Sequence, residues 1–244
     1  LPTAAQHTTP DLFAAPAATT PATATAAAAT PAPTAIPQPP APVAQHYSTI
    51  TTWAEFDTWL AAINAAALTA IDTETTSLHA MQAQLIGISL CVQAGHAAYI
   101  PLGHEGADAP EQLPLQAVLD KLRPWLEDAS KPKLSQHIKY DSHVFANHGL
   151  TIRGYQHDTM LQSYVLEAHK PHSLESLALR HLGRSGASYE SICGKGAQQI
   201  PFAHVAIEQA STYACEDADF CLQVHQQLWP QLAANPALQH IYEL

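Results

Sequence analysis

Asp72-Thr73-Glu74 closes a short apolar run, 68–72 (LTAID), and sets two carboxylates two residues apart. On a β-strand, residues i and i+2 face the same way, about 6.5–7 Å apart along the chain. Like charges so placed repel unless they reach solvent or share a cation. As a bare pattern D-x-E is a weak signal, commoner by chance on a polar surface. A second group, Tyr213-Ala-Cys-Glu-Asp217, lies inside a long helical stretch. Residues i and i+4 share a helix face, one turn and about 6 Å apart, so the phenol would sit beside the carboxylate. Taken alone, a surface Tyr–Asp pair is the better explanation. A third group, His137-Ile-Lys-Tyr-Asp141, opens a helix after another short run. In a first turn Asp141 is favoured by the helix dipole, which is an ordinary explanation for it. Asp158, in His157-Asp158-Thr159-Met160, reads as a helix cap.

These residues need elements to position them. Residues 53–64 place Trp53, Phe56, Trp59, Leu60 and Ile63 at helical spacing. The runs 68–72, 85–92 and 97–102 read as successive strands, separated by Gly, Gln or His-rich breaks. A helix is expected over 113–127, with Leu115, Val118, Leu119, Leu122 and Leu126 on one face, then a short strand at 133–136. Everything beyond reads as helical: 139–148, 158–168, 173–182 and 204–233. Strands gathered early and helices late predict an α/β or α+β layered domain, and no internal repeat is visible.

The bulk numbers narrow the function. Residues 1–45 are almost wholly Ala, Pro and Thr, with Asp11 as the only charged side chain. So few large apolar groups cannot offset the entropy of ordering, which predicts a semi-stiff disordered linker over 1–45 ahead of a folded domain, 46–244. Ten Lys plus Arg stand against 21 Asp plus Glu, a net charge of −11. That argues against a stand-alone nucleic-acid binder with a basic stripe, though not against an enzyme that holds phosphates through bound cations. No run of 18 apolar residues exists, so no membrane helix is expected, and nothing at the N-terminus resembles a secretory signal. Cys91, Cys193, Cys215 and Cys221 form no C-x-x-C pair and read as reduced core thiols of a cytosolic protein. The 15 histidines read as surface or capping residues. The first residue is Leu, which suggests a piece of a longer chain.

The combination is more specific than its parts. D-x-E on a first strand, an Asp before a helix and Y-x-x-x-D on a last helix resemble the three motifs of the DEDD exonuclease superfamily, in its tyrosine branch. AIDTETTSL, HIKYD, DTMLQSYVL, GKG and YACEDAD are similar in sequence and spacing to the 3′→5′ proofreading exonuclease domain of bacterial DNA polymerase I, over about residues 48–244. The resemblance implies a ribonuclease H-like α/β fold, a central mixed sheet flanked by helices. It implies two divalent metal ions, Mg²⁺ or Mn²⁺, held by Asp72, Glu74, Asp141 and Asp217. Asp72 would bridge both, Glu74 and Asp217 would complete one site, and Asp141 would hold the other partly through water. Hard oxygen ligands suit those ions. Tyr213, with Glu74, would orient the attacking water; at a reference pKa near 10 it is no general base.

The resemblance also implies that Leu78 wedges between the last two bases and that Tyr189 stacks on the terminal base, although core packing would explain either. Thr75 and Gln136 would contact the substrate backbone. His137 stands where many relatives have Asn, and would make substrate affinity pH-sensitive. The implied partner is a single-stranded or frayed 3′ end of DNA, with polymerase and 5′ nuclease domains linked in a full-length cytoplasmic, monomeric bacterial chain. Competing readings are ribonuclease D-like processing of RNA 3′ ends, and a non-catalytic module that only holds single-stranded DNA.

Overall fold

A computed structural model describes residues 43–106 and 109–244. Nearly all of the expected linker, residues 1–42, therefore lies outside the described residues. Six strands form one mixed sheet: β1 (His46–Thr49), β2 (Thr69–Thr75), β3 (Leu85–Gln93), β4 (His96–Pro101), β5 (Lys133–Ser135) and β6 (Tyr155–Asp158). The helices are α1 (Trp53–Ala65), α2 (Leu115–Leu126), α3 (Ile138–Asn147), α4 (Thr159–Glu167), α5 (Leu174–Leu182), α6 (Tyr189–Cys193), α7 (Ile207–Ala233) and α8 (Pro236–Glu243). The strand order is β1-β4-β3-β2-β5-β6. β3 runs antiparallel to both β2 and β4, while β1 pairs parallel with β4, β5 with β2 and β6 with β5.

The expected helices and the three long strands form close to their predicted bounds. The expectation that everything after β5 is helical is corrected by β6, and β1 adds a strand before α1. Both are four-residue edge strands, HYST and YQHD, without a buried alternating face. They owe their conformation to pairing with β4 and β5, which a local pattern does not reveal.

The side chains alternate across the sheet and divide the core in two. Ile71, Ile88, Leu90 and Ile100 face α1, α2 and α3, whose Phe56, Ile63, Leu119, Leu122 and Phe145 pack against them. Ala70, Cys91, Tyr99 and Leu134 face the other way, onto Ala210, Ala214, Ala218 and Leu222 of α7. Small residues along this stretch of α7 let the helix lie close to the sheet. Local signals set the helix starts. Thr52 and Glu55 form a capping box at α1, and Asp158 caps α4 as expected, accepting from Leu161 N at 3.0 Å. All four cysteines are buried and free. Among the described residues no helix is long and apolar enough to cross a membrane.

Candidate active site

Strand β2 ends beside the middle of α7, and there the strand pleat and the helix period meet. Asp72 and Glu74 point from β2 toward α7, which presents Asp217. One carboxylate oxygen from each of the three lies within 4.8 Å of the other two. Thr73, between them, points to the opposite face. Its hydroxyl donates to Asp141 of α3 at 2.7 Å, and Ser135 of β5 donates to the other oxygen of Asp141. Asp141 is buried and stands outside the trio, reaching the same strand end from the far side of the sheet.

The electrostatics are those of a site built for positive charge. Burial, opposed by the Thr73 backbone N–H, pushes Asp72 up to about 6. Burial, then the charges of Asp72, Asp217 and Asp141, hold Glu74 well above the usual carboxylate range. Burial and the neighbouring Asp72 do the same to Asp217. Asp141 is pushed up to about 8 by burial and Asp72, against the pull of the Ser135 and Thr73 hydroxyls. Among the described residues, no Lys or Arg forms an ion pair with any of the four. Converging hard oxygens with unrelieved repulsion are the donor set that a divalent cation satisfies.

Tyr213 lies one turn before Asp217 on α7. Burial, then the charges of Asp217, Glu74 and Asp72, drive its phenol far above its ordinary value, so it stays protonated. The hydroxyl can donate and orient; it cannot act as a base.

Around the acids opens a cleft of about 680 Å³. Leu78 stands in its wall with 95% of its surface exposed, which excludes the core-packing reading. Tyr189 lines it too, 41% exposed, with its ring stacked beside Phe202. Thr75 lies on the lining, its hydroxyl engaged with Tyr140 and with the Ser77 carbonyl. Gln136 is not part of the lining: its amide donates to the His172 carbonyl at 2.8 Å and its oxygen accepts from Thr159, so it ties β5 to the helical layer. His137 is the N-cap of α3, makes no side-chain capping bond and stacks on Tyr140. A separate cavity of about 560 Å³, bordered by Thr49, His104 and Glu208, shares no lining residue with the cleft.

Sequence reasoning missed several of the residues that build this site. Thr73 had a signal, since alternation along β2 sends it opposite to its acidic neighbours; Ser135 had none. Tyr140 lines the cleft and donates to the Ser77 carbonyl at 2.5 Å, holding the loop that carries Leu78. The histidine expectation also needs correction. His104 is buried because Tyr99 and the Val205 carbonyl satisfy both ring nitrogens, and His225 because it pairs with Gln162.

Comparison with known proteins agrees with this geometry. Residues 47–233 match the family model described as 3′-5′ exonuclease. DNA polymerase I of Pseudomonas aeruginosa is 49% identical over 198 residues, covering 80% of this chain and 22% of that protein. DNA polymerase I of Rhizobium leguminosarum is 38% identical over 215 residues, covering 81% and 21%. The chain thus spans about a fifth of the length of these curated relatives. Among solved structures, the catalytic core of RRP6 from Trypanosoma brucei superposes with a TM-score of 0.62 at 16% identity, over 82% of this chain and 50% of that one. Escherichia coli RNase D gives 0.55 at 20% identity, over 80% and 48%. At such identities the likeness shows the fold, which is ribonuclease H-like. With the family model running from within β1 to the end of α7, the chain belongs to the 3′-5′ exonuclease family, as a hydrolytic nuclease domain of the kind carried by bacterial DNA polymerase I homologues.

Proposed function

We propose that the chain removes nucleotides from single-stranded or frayed DNA 3′ ends, releasing nucleoside 5′-monophosphates as the proofreading domain of a longer polymerase. The observation that carries this reading is the convergence of Asp72, Glu74 and Asp217, with Asp141 behind them, at the floor of an open cleft. The donor set fits two divalent cations, Mg²⁺ or Mn²⁺. Asp72, Glu74 and Asp217 would hold one, and Asp72 with Asp141 the other, partly through water. A bound pair of such ions activates water and stabilises the leaving oxygen of an in-line displacement.

The chain's own residues supply orientation. Tyr213, held protonated, donates toward the attacking water, and Glu74 accepts from it, so that a lone pair faces phosphorus. Tyr189 offers a ring face to the terminal base, and Leu78 inserts between that base and the next; stacking of this kind is indifferent to base identity. Thr75 is a candidate for the sugar-phosphate backbone. Gln136 and His137 would act at most through Tyr140 and α3. A net charge of −11 leaves the whole chain with weak, salt-dependent hold on DNA. Linked polymerase and 5′ nuclease domains would supply the rest, in a monomeric bacterial cytoplasmic chain where residues 1–45 act as linker and 46–244 as the nuclease.

The test is Mg²⁺-dependent digestion of labelled single strands of DNA and RNA by wild type and Asp72→Ala. Wild type should degrade DNA and the variant should not. Equal activity in both would sink the catalytic reading, and preference for RNA would favour ribonuclease D-like processing.

A further inference from the structure

Phe202 is 2% exposed although it belongs to a single 3₁₀ turn, Phe202–His204, just before α7. Its ring meets three others. Tyr189 lies 6.3 Å away with 18° between planes, Tyr213 at 6.1 Å and 54°, and His104 at 5.7 Å and 49°. All three fall within the roughly 4.5–7 Å at which aromatic pairs attract. Two of these neighbours belong to the cleft and the third to the scaffold.

The scaffold side is rigid. His104 Nδ1 donates to the Val205 carbonyl at 3.1 Å, which leaves Nε2 to accept from the Tyr99 hydroxyl at 2.8 Å. The turn is tied further by Glu105 N donating to the Ala203 carbonyl at 2.7 Å. Tyr99 in turn lies under Gly87, where no β-carbon would fit. On the cleft side Tyr213 is carried by the long helix α7, and Tyr189 is less well held. Helix α6 has only five residues, and its buried anchor is Cys193.

We propose that Phe202 is a positioning residue for the reaction, a single ring that braces both Tyr189 and Tyr213 and so fixes the terminal base relative to the attacking water. This rests on the roles given above to those two tyrosines. Phe202 touches neither substrate nor metal, so its loss acts through them. Slack at Tyr189 weakens substrate capture, and slack at Tyr213 slows the chemical step.

The test is steady-state digestion of a labelled oligothymidylate with Mn²⁺ by the 244-residue chain, with melting curves for every variant. Phe202→Leu and Phe202→Met, which keep the position apolar but remove the ring, are each made in wild-type, Tyr213→Phe and Tyr189→Ala backgrounds. In wild type, both should lower kcat about tenfold and raise KM severalfold. The kcat loss should vanish in Tyr213→Phe and the KM rise in Tyr189→Ala, because coupled sites are not additive. Wild-type kinetics in a folded Phe202 variant, or losses that multiply unchanged in both backgrounds, would overturn the proposal. If both variants melt below the assay temperature, Phe202 only maintains the fold and the proposal is lost. If Tyr213→Phe keeps full kcat, or Tyr189→Ala keeps the wild-type KM, the tyrosine assignments themselves fail and Phe202 falls with them.

Discussion

Two carboxylates of α7, Asp217 and Asp219, are separated by one residue and live in opposite worlds. Asp217 looks into the cleft, where its neighbours are Asp72 and Glu74 and, among the described residues, the donor beside it is the Tyr213 phenol. Asp219 looks the other way and is fully enclosed. It accepts from the Tyr47 hydroxyl at 2.8 Å, from the Gly95 backbone N–H at 2.7 Å and from Gln223 at 2.8 Å, with the Arg184 guanidinium 3.7 Å away. Residues two apart on a helix do not share a face, so one helix can serve both purposes. An acid ringed by donors locks α7 to β1 and to the β3–β4 turn. An acid ringed by acids contributes nothing to the fold without a cation, and its place in the cleft points to chemistry.

The largest expected effect separates the two by alanine substitution. Asp217→Ala should lower kcat by about 1000-fold or more, since a group that acts in the transition state is removed. Its metal-free melting temperature should be no lower than wild type, because one repelling charge has gone. Asp219→Ala should do the reverse. Stranding three buried donors and a guanidinium costs about 3 kcal/mol, or roughly 6–12 °C in a domain of this size, with kcat of the folded protein nearly unchanged. Thermal melts beside single-turnover rates test both, and matching stability losses would erase the contrast.

Cations sharpen the comparison next. Saturating Mn²⁺ at about 100 times its dissociation constant should stabilise the chain by about 2.7 kcal/mol per site, and by clearly less in Asp217→Ala, which keeps only the Asp72 and Asp141 donors of the second site intact. The pH dependence has a definite sign. Asp72 near 6 and Asp141 near 8 lie above their unfolded values in the metal-free chain. Their contribution to stability is therefore complete below about pH 4 and is lost as pH rises through 6 to 8. Cations compete with those protons, so the Mn²⁺-induced shift in melting temperature should be larger at about pH 8 than at about pH 5.5. A shift independent of pH would mean that the ion binds elsewhere.

The smallest expected effects come from the two phenols. Tyr213→Phe should lower kcat by about tenfold while leaving the melting temperature unchanged within a few degrees. Tyr47→Phe removes a donor from Asp219 and should cost about 1–2 kcal/mol of stability, with unchanged kcat. Exchange of those outcomes between the two variants would invert the assignment of the two acids.

Much of the site was legible because it obeys the two periods of secondary structure. Asp72 and Glu74 share a strand face at spacing two, and Tyr213 and Asp217 share a helix face at spacing four. The capping role of Asp158 was equally local. Asp141 was legible as a residue but not in its setting, because Thr73 and Ser135 reach it from two strands that become neighbours only in the sheet. Gln136 carried a substrate-facing expectation, yet its amide is consumed by His172 and Thr159, partners 36 and 23 residues away.

By itself the sequence determined the long elements, their amphipathic faces and which acids share a face, since these follow from repeat distances along one segment. It could not determine that Asp217 meets other acids while Asp219 meets donors, that β1 and β6 exist, or that His104 and His225 are buried. Those outcomes depend on what lies across the sheet or beside α7. Burial and charge balance are properties of a neighbourhood, and only the folded chain supplies the neighbours.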